Sequence, residues 1–206
     1  PLTPMKLSLQ YLQKAISENR PNTQELINKI SQTMITQIDV LSDIATSFSH
    51  FTSMPDPKPE RIDIAAVLKK SIDLHDDPAK VMIKQNVAAG EWFVMADENL
   101  MVRTFNNLII NALQAIPASR APELEVSLQP QPQNKVQISI HDNGTGIPEE
   151  IQNKVFVPNF STKYHGSGIG LAVAKRGIES AGGRIWFNTE ADKGTTFFIE
   201  LPLDKA

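Results

Sequence analysis

The run Asn107-Leu108-Ile109-Ile110-Asn111-Ala112-Leu113-Gln114-Ala115 anchors the reading of this chain. Phe105, Leu108, Ile109, Ile110, Leu113 and Ile116 give the segment an apolar character. Asp97 is a cap at its start and Pro117 a stop at its end, so the pattern predicts a helix from Asp97 to about Ile116. Asn107 and Asn111 are four residues apart and share one face of that helix. Two amides on an otherwise apolar helix have two readings. A side-chain amide oxygen is a hard neutral ligand, suited to an Mg²⁺ ion that leans on phosphates. Alternatively, the two amides are buried and bond to the backbone or to each other.

Outward from this helix, the chain predicts strands over 123–128 and 135–141, joined by a Gln/Pro-rich turn. Asp142-Asn143-Gly144-Thr145-Gly146-Ile147-Pro148 follows the second of them. A carboxylate at a strand end accepts hydrogen bonds only, so Asp142 suits an exocyclic amine such as that of adenine. The glycines would let the backbone approach a flat ring closely. The same residues also read as a plain Asn-Gly turn. Further on, Lys163-Tyr164-His165-Gly166-Ser167-Gly168-Ile169-Gly170-Leu171 opens a helix predicted from about Gly168 to Ala181. A glycine-rich loop at a helix start offers free N–H groups to an anion, with the helix dipole behind them. The run is not a P-loop, because Gly-Lys-Ser/Thr is absent, and no strand leads into it as a dinucleotide fingerprint requires. Strands over 184–188 and 195–201 form a closing hairpin. In chain order these segments offer a metal amide, a base-reading carboxylate and a phosphate cradle, the set an Mg-nucleotide needs.

Upstream, 64–74 reads as a helix, and 81–87 and 91–95 read as strands joined by Ala88-Ala89-Gly90. The whole predicts an α+β layer, with helices on one face of a mostly antiparallel sheet. Met54-Pro55-Asp56-Pro57-Lys58-Pro59-Glu60 cannot be helical and reads as a semi-rigid linker. Before it, Leu2, Met5, Leu9, Leu12 and Ile16 alternate by three and four, as do Ile27, Ile30, Met34, Gln37, Leu41, Ile44, Phe48 and Phe51. Such stripes predict two helices turning at Arg20-Pro21-Asn22-Thr23, with Asn22 or Thr23 as N-cap. A thin hairpin cannot cover both stripes, so self-association into a four-helix bundle is expected. Packing of the stripes on the following domain is the alternative.

Composition narrows the function classes. The chain has 206 residues, 41% hydrophobic and 21% charged, as an ordinary globular protein has. It has no Cys, which excludes disulfides, thiol catalysis and Cys-ligated metals. A net charge of −3 leaves no electrostatic footprint for nucleic acid. No apolar run is long enough to span a membrane. The chain opens on Pro1, which suggests a piece of something longer.

Residues 62–206 resemble the ATP-binding catalytic domain of sensor histidine kinases, within the superfamily that includes the Hsp90, gyrase B and MutL ATPases. Asn107 to Asn111 matches the N box, and Asp142-x-Gly144-x-Gly146 the G1 box. Val155-Phe156-Val157-Pro158-Asn159-Phe160-Ser161-Thr162-Lys163 matches the F box, and Gly166-x-Gly168-x-Gly170-Leu171 the G2 box. Gly194-Thr195-Thr196-Phe197, with Leu201-Pro202, matches the last strand. Residues 1–54 resemble the dimerisation and histidine-phosphotransfer hairpin, with 55–61 as linker. Pro1-Leu2-Thr3-Pro4 is similar to the end of the H box, which puts the phosphoacceptor His just upstream of Pro1. The resemblance is nearest to the nitrogen-regulation type.

The resemblance implies an α/β sandwich that binds ATP and Mg²⁺, passing the γ-phosphate to a His and then to an Asp of a response-regulator receiver domain. Carried over by position, Asn111 coordinates Mg²⁺, and Asn107 contacts phosphate or the metal shell. Asp142 reads the adenine amine, with Gly144, Gly146 and Ile147 around the base and Thr195 as backup. Lys163 and the backbone of Gly166, Ser167, Gly168, Gly170 and Leu171 hold the β- and γ-phosphates. Phe156 and Phe160 pack the lid. Many sensor kinases carry Lys where this chain has Gln114, which can hydrogen-bond phosphate but brings no charge. That departure keeps a weak ATP-binding scaffold, or a phosphatase of the regulator, as the alternative. An ATPase would need an acid on the N-box helix, and 103–116 holds none. A cytoplasmic homodimer is implied, either free or as the cytoplasmic portion of an inner-membrane sensor.

Overall fold

Asp97 fixes where the central helix begins. Its carboxylate accepts the Leu100 backbone N–H at 3.0 Å, satisfying a donor that the first turn leaves without a helical partner. In the computed structural model, residues 2–18, 22–52, 56–77, 79–161 and 168–204 are described, with 2–4, 40 and 43–52 as backbone alone. The elements in order are α1 (Leu2–Ser17), α2 (Thr23–Thr52), β1 (Glu60–Asp63), α3 (Ile64–Asp73), β2 (Met82–Val87) and β3 (Phe93–Ala96). They continue with α4 (Glu98–Ala115), β4 (Glu123–Gln131), β5 (Lys135–Asp142), α5 (Glu149–Gln152), α6 (Gly170–Ser180), β6 (Arg184–Glu190) and β7 (Gly194–Pro202). The chain divides into two compact units, one holding α1 and α2, the other the elements from β1 onward.

In the first unit α1 packs on α2. Asn22 precedes α2 at φ +72°, and its carbonyl accepts the Leu26 N–H at 3.1 Å. Arg20 and Pro21 of the predicted turn lie outside the described residues. Ala15 and Ile30 are buried, yet Leu9 and Ile16 of the predicted stripe remain 44% and 50% exposed. Leu7, Tyr11, Ile35 and Ile38 add further exposed apolar surface. The Gln37 side-chain oxygen is buried without a hydrogen-bond partner among the described residues.

In the second unit a five-stranded sheet runs in the order β2-β4-β5-β7-β6. β2 pairs parallel with β4, and every other pairing in this sheet is antiparallel. The period-two alternation of β4 and β5 turns Leu124, Val126, Leu128, Val136, Ile138 and Ile140 into one core. α4 and α6 pack together over it, and Gly177 of α6 lets them approach closely. A Cβ there would lie 2.6 Å from the Thr104 hydroxyl. α3, capped by Asp63 onto the Ala65 N–H at 3.0 Å, adds Ile64, Val67, Leu68 and Ile72 to the same core.

Two expectations are corrected. The strands read at 81–87 and 91–95 are not partners: β2 joins the main sheet, while β3 pairs antiparallel with β1 in a separate two-stranded ladder. β1 itself starts at Glu60, inside the stretch read as linker. Its Ile62, opposite Val94, is buried.

Candidate functional site

Three segments meet at one end of the sheet. Asp142 is the last residue of β5 and only 1% exposed. Its Oδ1 accepts the Gly144 N–H at 2.8 Å and the Thr195 N–H at 3.3 Å. Thr195 stands directly opposite on β7 and is 3% exposed. Two donors on one oxygen fix the plane of the carboxylate. Sheet pairing brings Thr189 of β6 beside Thr195, with their hydroxyls 3.0 Å apart. The Thr189 hydroxyl also accepts the Ile147 N–H at 2.9 Å. Carboxylate, threonines and the 143–147 loop thus form one hydrogen-bonded unit.

The glycines of this loop are required by contact. A Cβ on Gly144 would lie 2.6 Å from Asp142 Oδ1 and 2.7 Å from the Ala115 carbonyl oxygen. Ala115 ends α4, and its carbonyl accepts the Thr145 N–H at 3.1 Å. The loop is therefore tied to the helix that carries the amides.

On α4, Asn107 and Asn111 are half-buried and Gln114 is exposed. Asn107 Nδ2 donates to the Gly170 carbonyl at 3.1 Å. This is the backbone bonding that the second reading of the amide pair describes, and it docks the start of α6 against α4. Gly170 closes that contact, since a Cβ would lie 3.3 Å from Asn107 Oδ1. Gly168, at φ +66°, packs on the Asn159 and Phe160 backbone, and Leu171 packs partly buried against the core. Residues 162–167, hence Lys163, His165, Gly166 and Ser167, lie outside the described residues. Phe156 packs among Phe187 and Phe197 at centroid distances of 6.1 and 6.3 Å. Among the described residues no group of three His, Cys, Asp or Glu side chains could hold a metal ion. Asn111 presents a neutral side-chain amide oxygen, a donor of the hard class.

Residues that sequence reasoning missed complete the site. Thr189 and Arg120 both bond into the 143–147 loop region from positions with no local motif.

Residues 96–205 match the family model described as histidine kinase-, DNA gyrase B- and HSP90-like ATPase. The chain belongs to this ATPase family. Nitrogen regulation protein NtrY of Azorhizobium caulinodans is 27% identical over 208 residues, covering 98% of this chain and 27% of NtrY. The solved structure of the mycobacterial sensor histidine kinase MprB is similar with a TM-score of 0.63 at 25% identity, covering 70% of this chain and 97% of that one. The histidine kinase ThkA in complex with response regulator protein TrrA shares the fold at a TM-score of 0.67 and 20% identity, covering 98% of this chain and 60% of that one. The family member described here spans 27% to 51% of the length of the first curated relatives it matches. No described helix is long and apolar enough to cross a membrane.

Proposed function

We propose that this chain carries the ATP-binding and dimerisation units of a sensor histidine kinase of the nitrogen-regulation type. The observation that carries the reading is Asp142, a buried carboxylate held by two backbone N–H groups at a strand end. An oriented acceptor there suits an amino-bearing base, and membership of the ATPase family makes that base adenine. Asn111 holds an Mg²⁺ ion, which neutralises phosphate charge when bound. Asn107 braces the start of α6, and Lys163 with the backbone of Gly166, Ser167, Gly168 and Gly170 receives the phosphates. Phosphoryl transfer depends mainly on positioning and charge neutralisation, which is what these groups supply. Gln114 adds no charge there, so the positive charge facing the phosphates is left to Lys163.

In this reading, the catalytic domain takes in β1 from Glu60 onward, the linker ends before that strand, and 1–54 is the hairpin. The hairpin pairs with a second copy into a four-helix bundle. The exposed apolar residues of α1 and α2 and the unpartnered Gln37 oxygen support that pairing. The acceptor is a His upstream of Pro1, and the phosphoryl then passes to a receiver-domain Asp. A complex of a similar fold with a response regulator supports that partner. A catalytic unit that draws on ATP belongs in the cytoplasm.

The test incubates the chain with γ-labelled Mg-ATP, alone and beside a hairpin that includes the upstream residues. Acid-labile, alkali-stable label on the added hairpin, absent with Asp142→Asn, is the expected result. Label on this chain alone, at His50, would overturn the assignment of the acceptor.

A further inference from the structure

We infer that Arg120 is a positioning residue for the adenine-reading carboxylate, acting as a cationic clamp on three backbone carbonyls. The inference rests on the reading of Asp142 as the adenine partner. Arg120 lies in the short loop between α4 and β4, where its N–H closes a turn onto the Pro117 carbonyl at 2.9 Å. Its side chain is half-buried. Nη1 donates to the carbonyls of Asn143, Gly144 at 2.9 Å and Asp192 at 3.1 Å. No carboxylate pairs with it among the described residues. The charge is directed at backbone dipoles instead.

Those three carbonyls belong to the two segments that serve Asp142. Asn143 and Gly144 follow it directly, and Gly144 gives its N–H to Oδ1. Asp192 sits in the β6–β7 turn, three residues before Thr195, the second donor to Oδ1. The Asp192 N–H reaches back to the Thr145 carbonyl at 3.0 Å, so the turn and the loop also hold each other directly. Three carbonyl oxygens converging on one point repel one another unless a cation stands between them. Arg120 supplies that cation. Without it the carbonyls repel, the two segments shift against each other within the sheet ladder that joins them, and the donors that orient the carboxylate lose their alignment. One nitrogen reaches all three oxygens, so the arrangement calls for a point charge with several donors more than for the planar fork of a guanidinium. A lysine ammonium, with three N–H groups, meets the same requirement.

The test measures displacement of a fluorescent ATP analogue by Mg-ATP, Mg-GTP and Mg-tripolyphosphate, with a thermal melt of every variant. Arg120→Ala is expected to weaken ATP about tenfold, the scale of a lost charged hydrogen-bond set. The preference for ATP over GTP narrows, and tripolyphosphate binding stays unchanged because a ligand without a base makes no use of the Asp142 carboxylate. Arg120→Lys keeps the affinity and Arg120→Gln loses it, while added methylguanidinium restores ATP binding to Arg120→Ala. Unchanged ATP affinity in Arg120→Ala overturns the inference. So does equal loss of ATP and tripolyphosphate, or Lys no better than Gln. Should Arg120→Ala lack a cooperative melt, the Gln and Lys variants carry the same comparison. If Asp142→Asn binds ATP as tightly as the unaltered chain, the adenine reading itself falls, and the inference with it.

Discussion

Gly146 holds φ at +77°, and a Cβ built there would stand 2.5 Å from the Glu190 carbonyl oxygen. Gly146→Ala therefore meets both backbone strain and a collision, and is expected to cost about 1–3 kcal/mol. Urea unfolding measures the loss, and an unchanged midpoint would show that the loop relaxes freely. Glu200, on β7, is a second residue with a measurable consequence. Lys135 Nζ at 2.9 Å, and Arg184 through Nε and Nη2 at 3.0 Å each, hold its carboxyl below the ordinary value of 4.5. A depressed carboxyl stabilises the fold above its unfolded pKa, and that contribution is lost as pH falls through the folded value. Thermal midpoints taken from about pH 6 down to about pH 3 should drop less steeply in Glu200→Gln than in the unaltered chain. Parallel slopes would refute the coupling. The turn built on Asp142, Gly144 and Gly146 was legible in the sequence because its residues sit in one short run. Arg120 was not, since its acceptors lie 23, 24 and 72 residues away and only the folded sheet brings them together.

At the level of elements, the cap of α4 does two jobs. Asp97 receives the Lys58 N–H at 3.0 Å as well as that of Leu100. These two donors, Lys58 first, lower its carboxyl below the ordinary range. Asp97→Ala should thus cost about 1–2 kcal/mol, with Asp97→Asn costing less because it still caps. Chemical denaturation of both variants checks the order, and equal losses would mean that charge rather than capping matters. Capping, stop signals and hairpin turns are local, which is why α4, β4–β5 and β6–β7 could be read from sequence within a few residues. Strand partners are chosen over long range. β2 and β3 are neighbours in sequence, yet β2 lies beside β4 and β3 beside β1. Nothing in Glu60-Arg61-Ile62-Asp63 marks a strand, for only Ile62 turns an apolar side chain inward. Val94 opposite it creates that need.

For the molecule as a whole, the two units differ in how well each covers itself. The second has a continuous core from Ile62 to Leu201, built from α3, α4, α6 and the sheet. In the first, Ala15 and Ile30 are the buried apolar residues among those described, while Leu7, Leu9, Tyr11, Ile16, Ile35 and Ile38 stay exposed. Apolar surface of that extent is costly to leave in water, at about 25 cal/mol per Å². The proposed occupant is a second copy, since a two-fold interface sets the same patch of each copy against the other. Cutting before Pro55 should therefore give a monomer that still melts cooperatively and binds Mg-ATP with unchanged affinity. The full chain should sediment as a dimer whose weight-average mass falls on dilution. A full chain that is monomeric at every concentration would mean that the apolar stripes are covered within a single copy. Loss of ATP binding on truncation would mean that the site draws on residues before Pro55, against the self-contained core and the match that begins at residue 96.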